Sequence, residues 1–270
     1  MVLYRNDRFD IKQSGLLFYY TWVDNYNLFY AGTSGLQIPI PKRDFPAKFQ
    51  HLSRLGFYAT LFNSIEINSS FYKLPIGKTV AKWAAEVPDN FRFTYKLWRE
   101  ITHNKNLAFK PEDVERFMQA INNASNKKGC LLVQFPASIQ VSNLHAFEQL
   151  ISIIRLNDPG NKWAVAVEFR HRSWYHDDVY ELLRQYNMGM VLHDMPASAS
   201  PLIAVNDDIV YLRFHGPDGG YRGSYADDFL YEYAQYIKEW EAEGKTVYAY
   251  FNNTMGDALN NLQLLNKYAH

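Results

Sequence analysis

At 270 residues and 47% hydrophobic, the chain is long enough to bury one large core, as a single α/β barrel or as two smaller domains, and no stretch reads as a linker. Its 28 basic residues balance 28 acidic ones, so net charge supplies no general attraction to nucleic acid or to an anionic membrane, and only a local patch would. The single cysteine, Cys130, lies in the apolar run CLLVQF, which excludes disulfide frameworks and thiolate metal clusters within one chain and points to a core thiol in a reducing, cytoplasmic compartment.

Residues 1–27 have no clear period and read as an N-terminal extension that packs its aromatic side chains on the main body. Their apolar stretch LLFYYTWV is too short to cross a bilayer and lacks the flanks of a signal peptide, so no membrane association is expected. The first buried strand is expected at 28–31, ending in GTSG at 32–35. Phe49, Leu52 and Leu55 follow at helical spacing, and then the strand SIEIN ends at Glu66 and Asn68. A helix through Val80, Trp83 and Ala84 closes at Pro88, and the strand FRFTYK ends at Lys96 before a loop with Arg99, Thr102 and His103. Pro111 starts a helix with Val114, Phe117, Met118 and Ile121 on one face.

The fourth strand, 130–135, ends at Gln134 and Pro136, and its helix carries Leu144, Phe147, Ile151 and Ile154. The fifth opens WAVAVEFRHRSW at 163–174, an apolar β-branched run that stops at Glu168 and gives way to Arg170, His171, Arg172 and Trp174 before a helix starts at Asp177. The sixth, MGMVLHD, ends at His193 and Asp194, and residues 195–208 then hold two prolines and no helical stripe. The seventh, IVYLRFHG, leads into a loop with Tyr221 and Tyr225 and a helix through Phe229, Tyr233, Ile237 and Trp240 closed by Gly244. The eighth, TVYAYFNN, ends at Asn252 and Asn253 before a last helix with Leu259, Leu262 and Leu265.

Eight strands alternating with helix-sized segments over 28–270 predict an α/β TIM (β/α)8 barrel whose helix after strand six is reduced or missing. No GxGxxG or GxxxxGK[ST] loop follows any strand, which argues against an open nucleotide-binding sheet. In a barrel the carboxyl ends of the strands converge on one mouth, where ligands bind. That gathers Glu66, Asn68, Lys96, His103, Gln134, Glu168, Arg170, His171, Asp194, Arg213, His215, Asn252 and Asn253, polar groups whose burial is costly unless they pair or meet a ligand.

Taken singly, each has a structural reading: Glu168 as an ion-pair partner of Arg170 or Arg213, His103 and His215 as hydrogen-bonded loop residues, Asn252 and Asn253 as caps of the last helix, and Trp174, Tyr221 and Tyr225 as packing or lid residues. Taken together, they fit an anion site best, because Lys96, Arg170, Arg213, His215 and Asn252 are all donors. A divalent metal is the weaker option, with Glu66, Glu168, Asp194, His193 and His215 as ligands but no HxH or HExxH pair, and no cofactor is expected.

The motifs GTSG, SIEINSSFYKLP, ITH, LLVQFP, VEFRHRSW, YLRFHG and YFNN occur in an order that resembles the YecE-like proteins, also called domain of unknown function 72. The resemblance runs from about residue 28 to the end and implies a TIM barrel, with no reaction attached. Two departures from the pattern are Leu36, where the family usually has tryptophan after GTSG, and residues 1–27, which have no counterpart.

Three functions are consistent with these residues. The first is an enzyme for a small phosphate-bearing or otherwise anionic substrate, with Lys96, Arg170 and Arg213 as clamps, Glu168 or Asp194 as general base, and His103 or His215 as general acid. The second is a nucleic-acid-binding module for damaged or single-stranded DNA, with Trp174, Tyr221 and Tyr225 as stacking platforms. The third is a sugar hydrolase using Glu66 and Glu168 as its carboxylate pair. Oligomeric state has no signature in the sequence.

Overall fold

A computed structural model of the chain describes two short strands, β1 (Arg8–Ile11) and β2 (Leu16–Tyr19), and all of residues 28–270. The two strands pair antiparallel, Arg8 opposite Tyr19 and Ile11 opposite Leu16. The expected packing of the extension's aromatic side chains on the main body lies outside the described residues.

Eight further strands are parallel: β3 (Phe29–Thr33), β4 (Ser64–Ile67), β5 (Arg92–Lys96), β6 (Lys128–Gln134), β7 (Ala164–Glu168), β8 (Gly189–His193), β9 (Ile209–Phe214) and β10 (Thr246–Phe251). From β4 to β10 each strand pairs with its neighbour in sequence, and β10 returns to pair with β3, the topology of a nearly closed TIM-like α/β barrel. Between the strands lie α1 (Arg54–Tyr58), α2 (Ser69–Tyr72), α3 (Gly77–Ala85), α4 (Arg99–Thr102), α5 (Pro111–Ile121), α6 (Leu144–Leu156), α7 (Asp177–Gln185), α8 (Asp227–Ala242) and α9 (Ala258–Ala269). Among the described residues no helix occupies 194–208, so the reduced unit after the sixth barrel strand is as the two prolines there require.

One expected helix is broken. Phe49 ends a short turn at Ala47–Phe49, and Leu55 belongs to α1, because Ser53 adopts an extended backbone between them and its Oγ accepts from the Gly56 N–H at 2.9 Å. Serine favours that cap position, so it restarts the helix rather than continuing it.

The seam between β3 and β4 is stitched mainly by side chains. Asn63 accepts from the Ala31 N–H at 2.9 Å and donates to the Phe29 carbonyl at 2.8 Å. Tyr58 Oη accepts from the Thr33 N–H at 2.8 Å and donates to the Ser64 carbonyl at 3.1 Å. The backbones join only at the carboxyl end, where the Gly35 N–H reaches the Glu66 carbonyl at 2.7 Å. Gly32 permits this approach, since a Cβ there would lie 2.1 Å from the Ser64 carbonyl oxygen.

The period-two alternation of the strands sorts their side chains. Residues such as Leu131, Val133, Val165 and Val167 pack outward against the helices, in the large core. Cys130, Leu132, Ala166, Val191, Tyr211, Tyr248 and Tyr250 fill the barrel, so the buried cysteine is a core thiol whose pKa is pushed up by burial. The same inward register, continued to the carboxyl ends, carries Glu66, Lys96, Gln134, Glu168, His193 and Arg213, and this is what delivers so many polar groups to one mouth.

Candidate functional site

Arg213 is the hub of the mouth. Its guanidinium is buried between two carboxylates: Nη2 meets Glu66 Oε1 at 2.8 Å, Nε meets Glu66 Oε2 at 3.0 Å, and Nη1 meets Glu168 Oε2 at 3.0 Å. Glu66 also accepts from Ser34 Oγ and from Tyr211 Oη, both at 2.6 Å. Glu168 Oε1 accepts from Arg170 Nε. Burial alone would raise both carboxyl pKa values, but the facing guanidinium groups outweigh it, Arg213 for Glu66 and Arg170 with Arg213 for Glu168, and hold them below the ordinary carboxylate range.

This corrects two expectations. A sugar hydrolase needs one carboxylic acid kept protonated, and here both are held ionised, so Glu66 and Glu168 are unsuited to that pair. Glu168 is also a poor general base, because both of its oxygens are engaged by arginine. The ion-pair reading of Glu168 with Arg170 and Arg213 is the geometry observed.

His215 lies beside this pair with its ring edges divided. Its Nε2 receives Arg170 Nη2 at 2.8 Å and Arg213 Nη1 at 3.1 Å, and neither guanidinium can accept a proton, so Nε2 must be the acceptor. The proton therefore sits on Nδ1, 3.3 Å from Asp194 Oδ1. Asp194 also accepts from the His215 N–H at 2.8 Å and from Tyr225 Oη. Burial lowers the His215 pKa to about 4 against the opposing pull of Asp194 and Glu168.

His103 is lowered to about 4 as well, by burial and then by Lys96, Arg99 and Arg170, with Nδ1 hydrogen-bonded to Thr102 Oγ1 at 2.8 Å. Both histidines rest as neutral imidazoles at neutral pH, so the expectation that one of them starts as the protonated general acid is corrected, and a proton relay is the role left open to them. Glu66, Glu168 and His215 have their lone pairs committed, and His193 is engaged with the Phe169 carbonyl at 3.0 Å and the Met195 N–H at 3.3 Å. Among the described residues no group of three or more histidine, cysteine, aspartate or glutamate side chains is placed to hold a metal ion.

Above this network opens a cavity of about 380 Å3. Lys96, Arg99 and Arg170 supply its cations, His103 and Gln134 its neutral polar groups, and Phe71, Tyr72 and Tyr221 its aromatic wall. Among the described residues that line it there is no carboxylate. Lys96 Nζ stands 4.1 Å from the centre of the Phe71 ring and has no hydrogen bond or ion pair among the described residues. Burial, Arg213 and Arg170 lower its pKa to about 7, against the pull of Glu168 and Glu66.

Other expected site residues fall elsewhere. Trp174 is fully buried, stacked on Phe169 at 4.7 Å with Nε1 donating to the Ile139 carbonyl at 2.9 Å, so it cannot stack on a base. Tyr225 is buried against Phe229 and holds Asp194, which removes it too as a platform. His171 caps the turn Arg172–Trp174 by accepting from the Ser173 N–H at 3.2 Å. Asn253 donates to the Gly223 carbonyl at 3.0 Å and to Asn261 of α9 at 2.9 Å, a structural stitch rather than a contact at the mouth. Asn252 is buried at the end of β10, with its backbone N–H on the Phe214 carbonyl at 2.7 Å. Asn68 keeps a buried Oδ1 without a partner among the described residues.

Sequence reasoning did not assign Ser34, Tyr211, Phe71, Tyr72 or Arg99 to the site. Ser34 and Tyr211 share the inward register of Glu66 and Arg213, and that alternation is the signal that finds them. Phe71, Tyr72 and Arg99 come from the short helices that follow β4 and β5, which carry no periodic signature.

The family model described as a protein of unknown function, DUF72, matches residues 30–270. The chain is similar to the UPF0759 protein YunF of Bacillus subtilis (strain 168), at 25% identity over 80% of this chain and 86% of that protein. It is similar also to the UPF0759 protein YecE of Escherichia coli (strain K12), at 27% identity over 46% of this chain and 44% of that one. Among solved structures, a DUF72 family protein from Enterococcus faecalis V583 superposes with a TM-score of 0.72 at 21% identity, covering 90% of this chain and 97% of that one. A DUF72 family protein from Thermotoga maritima MSB8 gives 0.68 at 26% identity, covering 88% and 98%.

Proposed function

The chain belongs to the DUF72 family, whose description names no reaction, and from that premise we propose that its barrel mouth is the active site of an enzyme acting on a small anionic substrate. The observation that carries this reading is the composition of the cavity wall: three cationic side chains and, among the described residues, no carboxylate facing them. Arg213 is neutralised beneath by Glu66 and Glu168, and Arg170 shares Glu168 while turning Nη2 to His215. Among the described residues Lys96 has no ion-pair partner, and Arg99 has only Glu100 at 3.8 Å on the exposed side. A phosphate or carboxylate would supply the missing negative charge in a partly desolvated site, where a charge-assisted hydrogen bond is worth most.

The buried network beneath has a separate task. Linked pairs from Glu66 to Asp194 fix Arg170 and His215 in place, so the donors are set before the substrate arrives. The nucleic-acid reading keeps only Tyr221 of its three platforms and has no further observation in its favour.

The test is the unfolding midpoint of the whole protein across sulfate, phosphate, sugar phosphates and short oligonucleotides. A ligand at about 100 times its dissociation constant stabilises by roughly 2.7 kcal/mol. A shift with sulfate or phosphate that is lost in Arg170→Gln supports the reading. A midpoint unmoved by every small anion sinks it, and a shift with oligonucleotides alone transfers the site to the nucleic-acid module.

A further inference from the structure

Lys96 is an odd choice for a clamp. It sits at the carboxyl end of β5, turned into the barrel mouth, with two guanidinium groups for neighbours and no carboxylate bound to it among the described residues. A group meant to hold an anion by charge alone would be arginine, which keeps its proton in such a place, whereas a crowded ammonium gives its proton up. The position suits the neutral amine.

Resting on the anion site proposed above, we propose that Lys96 is a nucleophile that forms a Schiff base with an aldehyde or ketone carrying a phosphate or carboxylate. Arg99 and Arg170 hold the anionic end, and Lys96 Nζ meets the carbonyl carbon. The cavity supplies the other groups the step needs. Gln134 gives one N–H of Nε2 to the Phe135 carbonyl at 2.6 Å and retains a second for the carbonyl oxygen. His103 packs edge-on against the same Phe71 ring as Lys96, at 4.8 Å, and with Nδ1 on Thr102 its Nε2 remains to receive and return a proton.

The chemistry balances without an oxidant or reductant. The Nζ lone pair forms the C–N bond as the carbonyl π pair moves to oxygen, and one amine proton passes to that oxygen through His103, giving a carbinolamine. A second proton from nitrogen leaves with the hydroxyl as water, and the C=N bond remains. The low proton affinity of the amine supports the geometry: with a pKa of about 7, its neutral fraction at pH 7 is roughly a thousand times that of an ordinary lysine.

The experiment is reductive trapping on the full-length chain. Pyridoxal 5′-phosphate, an aldehyde with a phosphate, is added below one equivalent, reduced with borohydride, and located by peptide mapping. The expected result is label on Lys96 in preference to all other lysines, suppressed by sulfate, and absent from Lys96 when pyridoxal without its phosphate is used. Label spread over exposed lysines with Lys96 unmodified overturns the nucleophile. If the sulfate shift in midpoint persists in that case, the anion site stands without it, and if the shift is also missing, both readings fall. The mapping uses the wild-type chain, and Lys96→Arg, which keeps a cation and removes the amine, is expected to abolish the trapped adduct.

Discussion

Arg213 and His215, two residues apart at the carboxyl end of β9, face the same point in the mouth, where Arg213 Nη1 donates to His215 Nε2 at 3.1 Å. A cation that always keeps its proton thus fixes the tautomer of its neighbour. His215 is expected to carry its proton on Nδ1, toward Asp194, and to stay neutral from about pH 5 to 8. Two-bond nitrogen–proton correlations of the imidazole check both points, and an Nε2-protonated ring would refute the assignment. The sign for stability follows. The unfolded chain takes up a proton on His215 near the ordinary histidine value, while the folded chain refuses it until about pH 4, so this residue costs stability as the pH falls through that window.

Replacing Arg213 reverses a different pH dependence. In the native protein the pKa values of Glu66 and Glu168 are held down, so their stabilisation is full above the unfolded carboxylate value and is lost as the pH falls through the lower folded values. Arg213→Met leaves Glu66 buried with Ser34 and Tyr211 but with no cation bound to it among the described residues, and the expected cost is about 3–5 kcal/mol at neutral pH. The folded pKa of Glu66 then rises above its unfolded value, and stability is expected to fall as the pH climbs from about 4 to 6, where the native protein gains. Denaturant midpoints across that range decide it, and the neutral Arg213→Gln serves if the methionine variant does not fold. A variant that parallels the native profile would show that Arg213 does not set the charge of Glu66.

The barrel was legible because each strand of the chain carries its own punctuation. An apolar β-branched run stops at a polar residue, as Val165 to Glu168 does, and the run and its stop have separate physical causes. Glu66, Lys96, Glu168 and Arg213 could be placed at the mouth from that alone. What the linear pattern does not carry is the state of each group. That Arg213 bridges two glutamates depends on the stagger of β9 against β4 and β7 across the barrel, and pairing of this kind makes Glu168 a support rather than a base. Trp174 shows the same limit, since it follows a strand end as a site residue would and then turns back into the core over Phe169.

Anion binding is expected to depend on pH through Lys96. A bound sulfate, which keeps its charge throughout, favours the ammonium form, so binding draws in a proton wherever the free amine is neutral. Affinity is therefore expected to fall as the pH rises through about 7, approaching tenfold per unit above it. His103 and His215, already neutral there, contribute nothing to the slope. Calorimetric titration of sulfate at several pH values measures this, with Lys96→Arg expected to flatten the profile. A native profile as flat as that of the arginine variant would remove Lys96 from the anion site.

Gly32 is expected to be intolerant of any side chain. It lies where β3 meets β4, and a methyl group at that point would sit 2.1 Å from the Ser64 carbonyl oxygen, a backbone atom that cannot swing aside. Parting the strands would strain the contacts of Asn63 and Tyr58 that close the seam. Gly32→Ala should lose about 3 kcal/mol or more, beyond the usual range for a surface change and typical of overpacking. Chemical denaturation measures it, and a loss below about 1 kcal/mol would mean that the seam is looser than these distances imply.

Tyr221 and Trp174 separate a ligand-facing aromatic from a core one. Tyr221 is 38% exposed on the cavity wall, with its ring 5.8 Å from His215 and a left-handed φ of 63°. Asparagine accepts that backbone conformation readily, so Tyr221→Asn removes the ring without adding strain and should change stability by no more than about 0.5 kcal/mol. Trp174→Ala, by contrast, opens a cavity among Phe135, Phe147 and Phe169 and should cost about 3–5 kcal/mol. The binding outcomes separate too. Sulfate reaches only the cations and should bind Tyr221→Asn as it binds the native protein, whereas a phosphate attached to an aromatic ring should bind that variant several-fold more weakly. If sulfate and the aromatic phosphate weakened together, Tyr221 would be acting on the cation cluster itself, through its contact with His215, rather than on the body of the ligand.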